Sequence, residues 1–103
     1  MATFVIRGTV TNNGNIPAGV WVVGIIETPY GSTNKTQYKL MTIDPGKSAS
    51  FELSASGIAL KEGTYKIKVR VLKTDTREVL AEDEVTKKFE YKISVKITKV
   101  TVK

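Results

Sequence analysis

Residues 60–71 read LKEGTYKIKVRV, a turn-forming glycine followed by a regular alternation of apolar and charged side chains. One face of this segment carries Tyr65, Ile67, Val69 and Val71, and the other carries Lys66, Lys68 and Arg70. Alternation with period two is typical of a β-strand that buries one face and exposes the other. The stretch therefore predicts a strand that begins close to Gly63.

Other segments of the chain extend the same pattern. Residues 4–10 and 48–55 alternate as well, whereas residues 20–26 are apolar on both faces, as in a central strand covered on both sides. Turn residues separate the segments, and Pro45-Gly46 suits a type II turn that closes a hairpin. Residues 55–61, interrupted by Gly57, are interpreted as a loop or one helical turn. The spacing predicts an all-β sandwich or barrel. With the tyrosine motif described below, we expect an immunoglobulin-like two-sheet sandwich of about seven antiparallel strands.

The composition limits the chemistry of this chain. Its 103 residues suit one domain over residues 1–103, and it has neither cysteine nor histidine. Thiol nucleophiles, imidazole bases and most zinc sites are thereby excluded, so we expect no enzyme activity, no cofactor and no metal. The acidic residues Glu82, Asp83 and Glu84 lack EF-hand spacing and are interpreted as a solvated strand end.

The formal net charge of +6 is concentrated at one end of the chain. Residues 87–103 hold six basic side chains and one acidic side chain. A nucleic-acid-binding basic β-barrel is therefore an alternative function. No apolar stretch suits a signal peptide or membrane insertion. If Met1 is the native start, we expect a cytoplasmic or virion protein; a fragment of a longer protein would suit the cell envelope or the extracellular space.

Two aromatic residues bear on the type of sandwich. The sequence from Leu60 through Gly63 to Tyr65 resembles the tyrosine corner of immunoglobulin-like and fibronectin-like domains. That resemblance implies a hydrogen bond from the Tyr65 hydroxyl to the backbone a few residues upstream. Trp21 is expected to lie buried between the sheets, so that Trp21→Ala would cost ~3–5 kcal/mol.

Three motifs occur in order along residues 4–86: Gly8-Thr9-Val10-Thr11-Asn12-Asn13-Gly14-Asn15, then Asp44-Pro45-Gly46-Lys47-Ser48 with Phe51, and finally Gly63-Thr64-Tyr65. With these motifs the chain resembles the bacterial and archaeal cell-adhesion-related domain called CARDB, and it is also similar to the immunoglobulin-like FxLYD domain. The resemblance implies a non-catalytic sandwich that is repeated in tandem in cell-envelope proteins.

The chain departs from these domains at both ends. They usually have a strand before the one that ends in Asn-Xaa-Gly, and this chain begins with that second strand. Residues 88–103 are surplus, with Phe89, Tyr91, Ile93, Val95 and Ile97 on one face and Val100 and Val102 on the opposite parity. We interpret this segment as an assembly strand that fills the first-strand position, in its own domain or in a neighbouring copy. The alternative is an extra edge strand that its lysines protect from aggregation.

The predicted function is a non-catalytic structural or adhesion module that binds a protein or itself, in a cell-surface or virion protein. An inhibitor or carbohydrate-binding sandwich is a further alternative. Tyr30, Asn34 and Tyr38 are candidate contacts at a loop end of the sandwich. Asn34-Lys35-Thr36 also matches the N-glycosylation pattern, in a predicted loop.

Overall fold

A computed structural model describes residues 1–91, 95, 96, 99 and 101 of the chain. Within this part of the chain there are seven β-strands and no helix. The strands are β1 (Ala2–Thr11), β2 (Ala18–Glu27), β3 (Thr33–Lys35), β4 (Lys39–Ile43), β5 (Ser48–Ile58), β6 (Gly63–Lys73) and β7 (Val79–Phe89).

The strands form two antiparallel sheets. β1 pairs with β5 in a two-stranded sheet, and β2 pairs with β6, which pairs with β7, in a five-stranded sheet. The short strands β3 and β4 share the other edge of β2. The prediction of an all-β two-sheet sandwich of about seven antiparallel strands is confirmed, and β2 is the central strand that its apolar sequence indicated.

The core lies between the sheets in two clusters. One cluster joins Val20 and Val22 of β2 to Met41, Ile43, Phe51, Leu53 and Val71. The second joins Ile26 to Ala55, Ile58 and Tyr65 at the opposite end of the sandwich. Even-numbered side chains of β2 therefore face the two-stranded sheet, which is the inward parity that a pleated strand dictates.

Two local predictions are wrong. The turn at Asp44–Lys47 forms, with Lys47 N donating to Asp44 O at 3.1 Å and Gly46 at φ 73°, but it closes no hairpin. The strands it links belong to different sheets, because β4 pairs with β2 while β5 pairs with β1. Residues 55–58 also continue β5, because Gly57 at φ 75° permits a bulge where the register against β1 shifts.

Thr36 joins the two short strands along the edge of β2. Its backbone N donates to Gly24 O at 3.0 Å, and its Oγ1 accepts from Gly24 N at 2.9 Å. The Thr36 side chain thereby continues the hydrogen bonding along the edge of β2 in the gap between β3 and β4. The backbone polar groups of Gly24, at the middle of β2, therefore stay paired. Thr36 is 6% exposed because this contact places it under the sheet edge.

An ion pair on the outer face of the five-stranded sheet links β2 to β6. Lys68 Nζ donates to Glu27 Oε1 at 3.0 Å. This hydrogen bond and the lysine charge lower the pKa of the Glu27 carboxyl, and Glu27 in turn raises the pKa of the Lys68 ammonium. The lowered carboxyl pKa stabilises the fold above the usual carboxyl range, and this stabilisation is lost as the pH falls through the folded-state pKa.

We expect Glu27→Gln to reduce stability at neutral pH and to flatten the loss of stability on acidification. The reason is that glutamine keeps the side-chain shape but removes the titrating charge that pairs with Lys68. Urea unfolding at neutral pH and at about pH 3 measures both effects. The control is Glu78→Gln, at an exposed glutamate that has no ion pair within the described residues. An equal pH profile for the two variants would contradict the assignment.

Candidate interaction groove

Tyr65 holds the crossover between the two sheets. Its side chain is 1% exposed, and its hydroxyl accepts from Lys61 N at 2.8 Å. The same hydroxyl lies 3.1 Å from Ala59 O and 3.2 Å from Lys61 O, either of which can accept its proton. These contacts have the geometry of a tyrosine corner, since the hydroxyl binds backbone four to six residues upstream.

The residues around Tyr65 reinforce the same crossover. Tyr30 donates from its hydroxyl to Ala59 O at 2.7 Å, and its ring meets the Tyr65 ring edge-on at 6.5 Å. Leu60 packs against the second core cluster, and its carbonyl accepts from the Tyr91 hydroxyl at 2.6 Å. Tyr30 is therefore a structural contact of this corner, where the sequence suggested a free recognition residue.

The prediction that Trp21 is buried between the sheets is wrong. Trp21 is half-buried and lies on the outer face of β2, because its neighbours Val20 and Val22 point into the core. Its indole meets the Tyr38 ring edge-on at 6.4 Å, and it pairs across the sheet with Leu40 and Leu72. A strand apolar on both faces gives no sequence signal for which parity faces inward.

We expect the fluorescence of Trp21 to be readily quenched by acrylamide in the folded protein. The indole is partly open to solvent, and Tyr38→Ala removes its aromatic neighbour and should increase the quenching. Trp21→Ala should cost less than the ~3–5 kcal/mol typical of a fully buried aromatic. Stern–Volmer titrations of native and urea-unfolded protein provide the measurement. Native fluorescence that resists acrylamide would place the indole inside the core and contradict the structure.

The three candidate loop contacts do not converge on one site. Asn34 and Tyr38 line a cleft of about 720 Å³ between the β3–β4 edge and β5, whereas Tyr30 belongs to the corner near Tyr65. Asn34 lies in β3, opposite Ile26, so the glycosylation pattern falls in a strand where a loop was predicted. The Thr36 of that pattern is buried, with its hydroxyl engaged by Gly24 N.

One side of the sandwich is left open. The strands differ in how far their side chains are buried. Most residues of β2 are buried, whereas on β7 every residue before Phe89 is exposed. Val85 is 55% exposed, although its parity places it on the inner face of its sheet, opposite Ile67. The two-stranded sheet is too narrow to cover the inner face of the five-stranded sheet, and β7 is the strand it does not reach.

A groove follows this open side along β1. Cavities of about 340 Å³ and 460 Å³ meet at Ile6 and Ile67, and together they extend along β1 from Ala2 to Thr11. The floor is the inner face of β6 and β7, including Val69, Val71, Ala81 and Val85. Within the described residues, β1 pairs with β5 only, so its other edge presents unpaired backbone groups beside the groove.

The C-terminal segment begins beside this groove. Phe89 is the last residue of β7, opposite Gly63, so the predicted segment 88–103 starts inside a strand of the sandwich. Tyr91 is held at the β5–β6 loop, where its backbone N donates to Glu62 Oε1 at 2.8 Å. Val95 is 83% exposed, and Lys96, Lys99 and Thr101 are exposed too. The other candidate assembly residues, Ile93, Ile97, Val100 and Val102, lie outside the described residues.

The described residues show neither a cluster of metal ligands nor a membrane-spanning helix. No group of three or more acidic side chains is close enough together to hold a metal ion within that part of the chain. No helix long and apolar enough to span a membrane occurs in it either. Glu82, from the acidic run, instead accepts from Arg70 Nε at 2.9 Å across β6 and β7.

No family model matches the chain, and no curated protein matches it. Among solved structures it is similar to Bacteroides uniformis β-glucuronidase 2 covalently bound to cyclophellitol-6-carboxylate aziridine, with a TM-score of 0.76 and 21% identity over 86% of this chain and 12% of that chain. A structure of Bacteroides uniformis β-glucuronidase matches with a TM-score of 0.74 and 22% identity, over 84% of this chain and 11% of that chain. A calcium-binding mutant of Bacteroides uniformis β-glucuronidase 2 matches with a TM-score of 0.73 and 22% identity, over 84% of this chain and 11% of that chain.

The chain therefore spans only 11–12% of the length of the enzymes it resembles. At this level of identity the likeness concerns architecture alone. The described chain has the fold of an immunoglobulin-like two-sheet β-sandwich.

Proposed function

We propose that this chain is a non-catalytic interaction module, a sandwich that binds protein and forms part of a cell-surface or virion assembly. The observation that carries the proposal is the uncovered apolar side at β7. Val85 is 55% exposed on the inner face of this strand, although it lies opposite the apolar Ile67. Apolar surface left exposed on a folded domain can mark a site of protein interaction.

The cleft at Asn34 and Tyr38 lacks the carboxyl pair of a glycoside hydrolase among its described lining residues. Glycoside hydrolysis ordinarily uses two carboxyl groups that flank the bond to be broken. The large cleft at Asn34 and Tyr38 has a single carboxylate among its described lining residues, Glu52. Glu52 accepts from Arg7 Nε at 2.8 Å, so it is engaged in an ion pair. The coverage of the similar enzymes agrees with this proposal, since the fold matches a small part of each.

The experiment compares three activities of the full chain. Sedimentation velocity across a concentration series measures self-association, and cross-linking with mass spectrometry maps the contacting face. A chromogenic β-glucuronide reports hydrolysis, and a fluorescent single-stranded oligonucleotide at low salt reports nucleic-acid binding. The proposal expects association through protein surfaces and neither other activity. Turnover of the glucuronide, or salt-dependent oligonucleotide binding by a monomer, would overturn it.

Carbohydrate binding is a second candidate, and the cleft between the β3–β4 edge and β5 favours it. The cleft combines one aromatic ring, Tyr38, with the amides of Asn34 and Gln37 and the hydroxyls of Ser54 and Ser56. An aromatic face beside several polar groups suits a sugar ring. A glycan array with the full chain and with Tyr38→Ala tests this. Binding that is lost in Tyr38→Ala and kept in Tyr30→Phe would support the candidate, and an array without binding would refute it.

A further inference from the structure

We propose that the groove along β1 accepts the C-terminal segment of a second copy of this chain as an added β-strand. The inference deepens the proposed function, since it names both the partner and the surface through which copies join. It is carried by four features of the chain: the free edge of β1, the half-covered inner face beside it, the position of the chain exit, and the sequence after Tyr91.

The groove has the requirements of a strand-acceptor site. The free edge of β1 offers backbone donors and acceptors over ten residues, Ala2–Thr11. The inner face opposite it offers apolar side chains, with Val85 exposed and Ile67 and Val69 only partly buried. A strand added to β1 would widen the narrow sheet to three strands and cover β6 and β7. Main-chain pairing at an edge combined with alternate side-chain burial is how strand addition binds a peptide.

The segment after Tyr91 has the length and pattern of such a strand. Residues 92–103 are twelve residues long, comparable with the ten residues of β1. Ile93, Val95 and Ile97 share one parity, and Lys92, Ser94 and Lys96 share the other. One face of the added strand would therefore enter the groove while the other stays in water. Its basic charge also complements Asp83, whose parity places it with Ala81 and Val85 on the groove side of β7.

The chain exit favours a second copy over the same copy. Tyr91 is held at the β5–β6 loop by bonds to Glu62 and Leu60, and its ring packs on Phe89 at 5.0 Å. These contacts hold the start of the C-terminal segment at the β5–β6 loop. Val95, Lys96 and Lys99 beyond it are exposed, so these residues do not occupy their own groove. A donor that leaves one copy and an acceptor on the next make a head-to-tail contact between copies.

The experiment uses full-length chains with a defect in one partner surface. The donor-deficient chain carries Val95→Asp and Ile97→Asp, and its matched control carries Ser94→Asp and Thr98→Asp on the opposite parity, with the same change in charge. The acceptor-deficient chain carries Val85→Arg in the groove. Its control carries Thr86→Arg on the opposite face of β7. Val85 and Thr86 are both exposed, so circular dichroism and melting should show a retained fold for each variant.

We expect the unmodified chain and both controls to self-associate in sedimentation velocity. Each defective chain should associate at least about 100-fold more weakly, the factor expected when aliphatic side chains lose their burial. An equimolar mixture of the two defective chains should form a one-to-one complex, because each supplies the surface that the other lacks. This rescue distinguishes strand exchange from general surface stickiness.

Three results would overturn the inference. The unmodified chain could be monomeric at every concentration, the controls could be as defective as the test variants, or the mixture could fail to form a complex. The proposed function survives if cross-links place association on another face, such as the outer face around Trp21 and Leu40. Hydrolysis or nucleic-acid binding would overturn the proposed function, and neither result depends on the groove.

Discussion

Gly63→Ala should be the most damaging single substitution of the corner, with a loss of about 2–6 kcal/mol of stability. Gly63 has φ 134°, and a Cβ added there would lie 2.4 Å from Pro29 Cβ and 2.8 Å from Pro29 Cγ. A strained backbone costs on the order of 1–3 kcal/mol, and overpacking typically costs a further ~1–3 kcal/mol. Urea unfolding followed by circular dichroism measures the loss. It follows that β6 can begin at this point only with a glycine.

Two further variants separate the backbone cost from the clash. Gly31 has φ 87° with nothing within 4 Å of an added Cβ, so Gly31→Ala should show the backbone cost alone, about 1–2 kcal/mol. Combining Gly63→Ala with Pro29→Gly removes the clashing atoms and should recover part of the loss. A Gly63→Ala protein as stable as Gly31→Ala, or a double variant without recovery, would show that the contact with Pro29 is not limiting.

Tyr65→Phe should cost about 1–3 kcal/mol although it removes a single oxygen atom. The Tyr65 hydroxyl accepts from Lys61 N and lies in hydrogen-bonding range of the carbonyls of Ala59 and Lys61. Its removal takes away the acceptor of Lys61 N, beside a tyrosine ring that is 1% exposed. Chemical unfolding at equilibrium measures the loss, and the slope should stay unchanged if the fold is retained.

Tyr30→Phe is the matched control for Tyr65→Phe. Both hydroxyls contact Ala59 O, at 2.7 Å for Tyr30 and 3.1 Å for Tyr65, but Tyr30 is 39% exposed. Water can replace the Tyr30 hydroxyl, so this variant should lose less than about 1 kcal/mol. Equal losses in the two variants would mean that the corner draws little stability from the buried hydroxyl.

The interaction proposal and the stability predictions concern different parts of the same molecule. The corner around Tyr65 closes one end of the sandwich, whereas the groove along β1 leaves one side open. Variants of the corner should therefore lower stability in every assembly state. Variants at Val85 and Val95, which are 55% and 83% exposed, should alter association with little change in monomer stability.

Local pattern was sufficient for the strands and for the corner. Period-two alternation located the inward faces of β1, β5 and β6, because a pleated strand that buries one face must alternate. Gly63 before Tyr65 indicated the corner because the contact spans only a few residues, from Ala59 to Tyr65. A contact between residues this close together in the chain can be predicted from the sequence alone.

Long-range pairing settled the rest. The inward parity of β2, and with it the outward position of Trp21, depends on which sheet packs against it, and a strand apolar on both faces does not encode that choice. The turn at Pro45-Gly46 was visible in the sequence, but the partners of β4 and β5 were not. The open side at β7 likewise arises only when a two-stranded sheet is laid on a five-stranded one, because unequal widths leave apolar side chains uncovered.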